Sequence, residues 1–318
     1  MVQEDVLVVR SLIAMFAWRM GDSELLWSHD TELPKDLSKA PLAVRDGVAV
    51  TMYAASKSGP SDYEARRIDS GELLWRRSLK VRAGARGLCF GPEGLSVLGF
   101  DRKSKKDAYL CLDPESGETK EKLSAPHCHT VATVGDSVFL AAGRGLYLKE
   151  GSDFRKLCDD LLNAVVAKGD FLYSIGGFVD GWPAPMLRKW STQGEELDSM
   201  EIPNLRPGGD HLLIGEDRLL LSDVEGEGPF LLDLAKKREV WRTGTDNRTT
   251  GNYCRLAGKV IAEGRLSEGR RNLEWLDAES GDRGCWDDPP YFHHHTTMNE
   301  KLVLSHPDGL QTYSIEEF

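Results

Sequence analysis

Short apolar runs follow one another along the whole chain, each broken by Gly, Asp, Ser or Pro. Residues 42–46, 47–53, 63–69 and 72–76 show the scheme: a strand, a turn, a second strand, a loop, then a tight hairpin. Alternation of apolar and polar positions inside the runs is partial, as expected where both faces of a sheet are covered. The same scheme predicts units over 40–79, 84–123, 127–157, 162–198, 205–242 and 250–286. The chain therefore reads as all-β.

The hairpins share a motif. Ile68-Asp69-Ser70-Gly71-Glu72-Leu73-Leu74-Trp75 reads as a strand ending on an aspartate, a turn, and a strand bearing a tryptophan. Clear copies are Leu112-Asp113-Pro114-Glu115-Ser116-Gly117-Glu118 and Leu276-Asp277-Ala278-Glu279-Ser280-Gly281-Asp282. Met20-Gly21-Asp22-Ser23-Glu24-Leu25-Leu26-Trp27 is a fainter one, and degraded copies lie near 150–153, 192–195 and 232–241. Asp accepts bonds from nearby amides and Gly takes a positive φ, so the pair builds a turn. The turn glycines 71 and 117 are 46 residues apart, and 117 and 281 are separated by close to four further periods. A period of about 40–50 residues holding several short strands indicates a propeller blade, a small sheet that buries its faces only by stacking on neighbours.

The motif resembles the pyrroloquinoline-quinone-type propeller repeat, a strand followed by Leu-Asp-x-x-Thr/Ser-Gly-x-x-x-Trp. The resemblance implies a β-propeller. It does not carry over quinone chemistry, because the adjacent cysteines and calcium-ligand pattern of the quinone enzymes are missing. Trp286-Asp287 stands alone, so the tryptophan-aspartate repeat has no support.

Seven hairpin centres fall near Ser23, Ser70, Ser116, Gly151, Gly194, Lys236 and Ser280. The N-terminal runs have no innermost strand before them, and the C-terminal runs have no closing hairpin. The sequence thus predicts a seven-bladed β-propeller closed by joining N- and C-terminal strands, in one domain over 1–318. Eight blades are the alternative, since the ends hold more strand-like sequence than one blade needs.

The net charge of −11 argues against bulk binding to nucleic acid or to an anionic membrane. Six cysteines without a CxxC pair read as reduced thiols, and the acidic start, with Arg10 inside the first apolar stretch, is neither a signal peptide nor a membrane span. A cytoplasmic location is expected.

The loops joining second and third strands are long: 56–62, 101–107, 176–186, 222–229 and 267–272. Insertions concentrated on one face mark a binding face. There, Trp182 with Phe178 forms an apolar candidate anchor for a protein partner. The basic run from Arg66 to Arg86, continued by Arg102, Lys103, Lys105 and Lys106, suits an acidic partner or a phosphate, or else is a solvated surface. His127 with His129, and His293 with His295, share strand faces at the predicted channel mouth and could ligate a transition metal ion, or simply line a wet channel. Nucleophile elbow, Walker loop, dinucleotide fingerprint and zinc spacing are all missing. The expectation is a non-catalytic interaction module with a protein partner and no cofactor. The alternative is a metal-dependent enzyme of lyase or oxygenase type.

Overall fold

The structure is a computed structural model that describes residues 2–3, 5–10, 14–19, 24–30, 41–55, 60–160, 162–176, 185–202, 207–214, 217–223, 229–243, 253–265, 271–286, 292, 294–298, 301–306 and 309–314. The regular elements among them are all strands, and no helix is long and apolar enough to cross a membrane.

The strands pair as consecutive antiparallel meanders. The first holds β1–β4 (Val2–Gln3, Val6–Arg10, Ala14–Arg19, Glu24–Asp30) and the second β5–β8 (Leu42–Arg45, Val48–Ala55, Ser61–Arg67, Leu73–Leu79). The third holds β9–β12 (Val81–Gly91, Gly94–Asp101, Lys106–Leu112, Thr119–Ser124) and the fourth β13–β16 (Cys128–Val134, Ser137–Ala142, Gly145–Glu150, Asp153–Cys158). These two join into one eight-stranded sheet through a parallel pair, Thr130 with Arg86. The fifth is β17–β20 (Leu162–Lys168, Phe171–Gly176, Met186–Trp190, Glu196–Glu201) and the sixth β21–β24 (Pro207–Ile214, Arg218–Asp223, Phe230–Asp233, Arg238–Arg242). The seventh is β25–β28 (Cys254–Leu256, Lys259–Arg265, Arg271–Asp277, Arg283–Cys285), and β29–β31 (His294–Met298, Lys301–His306, Gly309–Ser314) make a three-stranded sheet. The chain divides into two compact units, residues 1–177 with 187–199, and residues 178–186 with 200–318.

The strand limits match the sequence units closely, and among the described residues the N- and C-terminal strands fall in separate sheets. The N-terminal strands form their own sheet, because Val2–Gln3 pairs with Val6 and Leu7 and supplies a first strand too short to read as an apolar run. The C-terminal strands pair among themselves. The seven-blade count depended on one shared sheet, and this pairing does not supply it.

Second and third strands are buried on both faces, as in β10, β14 and β23, while fourth strands such as β12 and β16 are largely exposed. Adjacent sheets interlock by a recurrent contact. The indole N–H of Trp27 donates to the Ile68 carbonyl, that of Trp75 to Pro114, and that of Trp241 to Ala278, at 3.0, 2.8 and 3.4 Å. Each acceptor lies three residues before a turn glycine of the next sheet, and each indole lies flat enough on that glycine to occupy the place of a Cβ. Trp is suited to this because it covers a large apolar area and still satisfies its one donor. Between the fourth and fifth sheets Leu157 takes the position, over Gly194.

The turns themselves are alike in backbone and unlike in side chain. Asp113 N donates to Glu118 O, Asp277 N to Asp282 O, and Arg67 N to Glu72 O. The carboxylates of Asp113 and Asp277 each accept from the two amides at +2 and +3 and from the serine hydroxyl. In the first clear copy Arg67 holds that backbone place, so Asp69 is not the equivalent of Asp113. A bond from Lys120, then the Ser116 amide, holds the Asp113 carboxyl well below the usual range. A depressed carboxyl contributes stability above its unfolded value of about 3.9 and loses it as pH falls below that value. Asp113→Asn should therefore lower Tm at neutral pH and shrink the gap to wild type between roughly pH 4 and pH 2, followed by thermal melts across pH.

A buried tyrosine ties the second sheet to the third. Tyr63 Oη donates to Val81 O and accepts from Ala83 N, both at 2.9 Å. Tyr63→Phe strands a buried carbonyl and a buried amide at once, and should cost about 1–3 kcal/mol in urea unfolding.

Candidate partner-binding site on the third and fourth sheets

The site starts from an irregular strand. In β9, Ala83 pairs with Gly99 and Leu88 with Val97, so residues 84–87 stand opposite Leu98 alone. Glycines make this bulge possible: a Cβ on Gly99 would lie 2.1 Å from the Arg82 carbonyl, and one on Gly87 2.3 Å from the Leu98 carbonyl. The bulge carries Arg86 across to β13, where it pairs with Thr130. His129 is the neighbour of that pair, with Nδ1 3.0 Å from Thr130 Oγ1. Burial, then the nearby Arg86 and His127, lowers the His129 pKa.

The second component is the turn between β10 and β11. Asp101, 1% exposed, accepts from the Lys103 amide at 2.8 Å and pairs with Lys122 at 2.5 Å. Burial pushes its carboxyl up, but these bonds prevail and the net shift is downward. Arg102 N donates to Lys80 O, which fastens the turn to the start of β9. With Asp101 holding the turn from inside, Lys103, Ser104, Lys105 and Lys106 project as an exposed tip. Asp107 follows and pairs with His127, Oδ2 to Nδ1 2.5 Å, although the imidazole itself is 95% exposed.

Between these lies Phe100. Its cross-strand partners are Asp107 on β11 and Arg82 on β9, so the three share one sheet face. Phe100 is 46% exposed, whereas the preceding residues of β10 are buried. An exposed aromatic thus sits among Arg82, the lysine tip and the Asp107–His127 pair. In a chain of net charge −11 this end is cationic, and its two acids, Asp101 and Asp107, are already paired.

The structure sorts the basic run of the sequence into two groups. Arg66 and Arg76 pair with buried Glu64, Arg77 donates to Ser116 O, and Arg67 is 3.6 Å from Glu72. These serve the sheets. Arg82 stands opposite Phe100, Arg86 pairs with Thr130 beside His129, and Arg102 and Lys103 belong to the turn that Asp101 braces. Phe100, Asp107 and the bulge went unnoticed in the sequence, though two glycines inside an apolar strand (Gly84 and Gly87) signal a bulge.

Trp182, Phe178 and His293 lie outside the described residues. His295 belongs to β29, opposite Leu304, and only its backbone is described. Among the described residues, no group of three or more His, Cys, Asp and Glu side chains is arranged to hold a metal ion. Of the thiols, Cys111, Cys128 and Cys254 are buried and Cys285 is exposed, and none of them forms a disulfide.

No protein-family model matches the chain, and no curated protein matches it in sequence. Solved structures do. BamB from Moraxella catarrhalis aligns with a TM-score of 0.66 at 13% identity, over 100% of this chain and 96% of that one. Dihydro-heme d1 dehydrogenase NirN, in complex with DHE, aligns with a TM-score of 0.72 at 11% identity, over 98% of this chain and 70% of that one. The β-propeller domain of the Trilobed protease from Pyrococcus furiosus gives 0.57 at 12%, over 91% and 97%. At such identities the likeness is one of fold, and the fold is a β-propeller.

Proposed function

We propose that the chain is a non-catalytic propeller of eight blades that docks a protein partner on the end of its sheets bearing the 102–105 turn. Among the described residues, eight meanders, counting the three-stranded C-terminal one, support the blade number. The fold alone does not choose a role, since it serves proteins as different as a dehydrogenase and a protease domain. The observation that carries the reading is the cationic end of the third and fourth sheets, built by a bulge and a braced turn, on an otherwise acidic chain. Rim cations of this kind steer encounter and select partners of opposite charge.

The test is recovery of a stoichiometric complex from native lysate after mild cross-linking. The triple variant K103E/K105E/K106E should lose the partner by more than tenfold while keeping its melting temperature. A wild-type chain that recovers no stoichiometric protein, or a triple variant that retains it fully, would overturn the reading.

A further inference from the structure

We propose that the mouth formed by Phe100 and the 102–106 turn binds a short segment rich in Asp and Glu that carries one apolar side chain. The proposal rests on the docking reading above and names the chemistry of the partner. Phe100 seats the apolar side chain, and the exposed lysines 103, 105 and 106 take the carboxylates.

Three features set this chemistry. Phe100 is exposed at a place where every earlier residue of its strand is buried, so its exposure is local to the mouth. Its face is completed by Arg82 on one side and by Asp107 on the other, and Asp107 is occupied by His127. The tip lysines 103, 105 and 106 are exposed, and Asp101 beneath them is taken up by the Lys103 amide and Lys122. Lys122 thus matches the charge of Asp101, Asp107 is hydrogen-bonded to His127, and the exposed lysines 103, 105 and 106 leave this end net cationic toward an incoming carboxylate. An aromatic ringed by cations is the arrangement of an interface anchor with a polar rim.

A nucleic acid fits less well. Single strands need successive aromatic platforms, and the mouth offers one ring. The net charge of −11 also opposes a long polyanion, which would overrun the patch, whereas a short segment stays within it.

Fluorescence anisotropy tests this with three labelled 14-residue probes: a Glu/Asp-rich peptide with a central Leu, the same peptide with Ser for Leu, and a Lys-rich peptide with the Leu. Only the first should bind well. Losing the Leu should weaken binding about tenfold or more, the effect of one buried apolar side chain. Phe100→Ala should weaken the Leu peptide by a similar factor and leave the Ser peptide unchanged. K103E/K105E/K106E should weaken both acidic peptides, and binding should fall with added salt.

Equal affinity for the Leu and Ser peptides, or indifference to Phe100→Ala, overturns the proposal. So does a 14-nucleotide oligo-dT that binds as tightly as the Leu peptide. Self-association seen by sedimentation and abolished by the triple variant would make the occupant a second copy, and overturns it too. If no acidic peptide binds while the cross-linked complex still forms, the partner chemistry is wrong and the docking reading survives. If neither forms, both fall.

Discussion

Gly117→Ala should lower stability by about 3–4 kcal/mol, from two separable causes. The first is backbone strain: Gly117 has φ +70, and a side chain in that region costs roughly 1–2 kcal/mol. The second is collision. An added Cβ would lie 2.6 Å from Cδ2 and 2.8 Å from Cε3 of Trp75, with the Arg77 side chain 2.9 Å away. Trp75 is 6% exposed, held by its bond to Pro114 O, and packed in the cluster between the second and third sheets. It has nowhere to retreat without giving up that bond, and overpacking of this kind costs about 1–3 kcal/mol. Gly47 is the control. Its φ is +74, yet a Cβ there meets nothing within 4 Å. Gly47→Ala should therefore show the strain alone, and the difference between the two variants in chemical denaturation isolates the indole contact. Equal losses would mean that Trp75 yields freely and that the Trp–Gly contact does not lock adjacent sheets.

That contact explains why so much of the fold was legible. The turn glycines 71, 117 and 281 and the tryptophans 27, 75 and 241 stand out in the sequence because each turn and the neighbouring sheet depend on such a pair together. The copies at 113–118 and 277–282 have the same carboxylate-capped turn. The copy at 68–75 reaches the same backbone with Arg67 in place of the capping aspartate, so its Asp69 misled by identity while its glycine guided by position. The N-terminal closure was not legible, because a two-residue strand leaves no periodic trace.

The site was legible by residue type and not by arrangement. Charged and imidazole side chains at 102, 103, 127 and 129 stand out in sequence. What draws them together does not, because it is tertiary: a bulge that brings Arg86 to Thr130, and a carboxylate that bridges from Asp107 to His127. Phe100 gives no sign of its exposure in sequence, since exposure at a strand end depends on what the neighbouring sheet leaves uncovered. In the basic run, Arg66 and Arg76 are engaged by Glu64 and Arg77 by the Ser116 carbonyl, which residue type alone does not reveal.

Glu64→Gln measures how firmly they are used. Glu64 is fully buried on β7, in line with Thr51 on β6 and Arg76 on β8. Arg66 Nε is 3.1 Å from its Oε1 and Arg76 Nη2 3.0 Å from its Oε2. His29, from the first sheet, brings Nε2 to 3.6 Å and stacks on Tyr53, while Arg76 lies 3.9 Å above the same ring. Arg10, also from the first sheet, donates to Thr51 Oγ1; burial pulls its pKa down to about 10 despite the attraction of Glu64. One carboxylate thus holds guanidinium groups from two sheets. The amide keeps the shape and removes the charge, leaving Arg66 and Arg10 in a site that no longer compensates them. Breaking a buried pair from one side costs about 3–5 kcal/mol, and Glu64→Gln should fall in that range in urea unfolding. Arg76→Ala should cost less than about 1 kcal/mol, because its side chain is 40% exposed and water screens the pair. Similar losses from the two variants would show that solvent reaches the carboxylate and screens both of its arginine pairs alike.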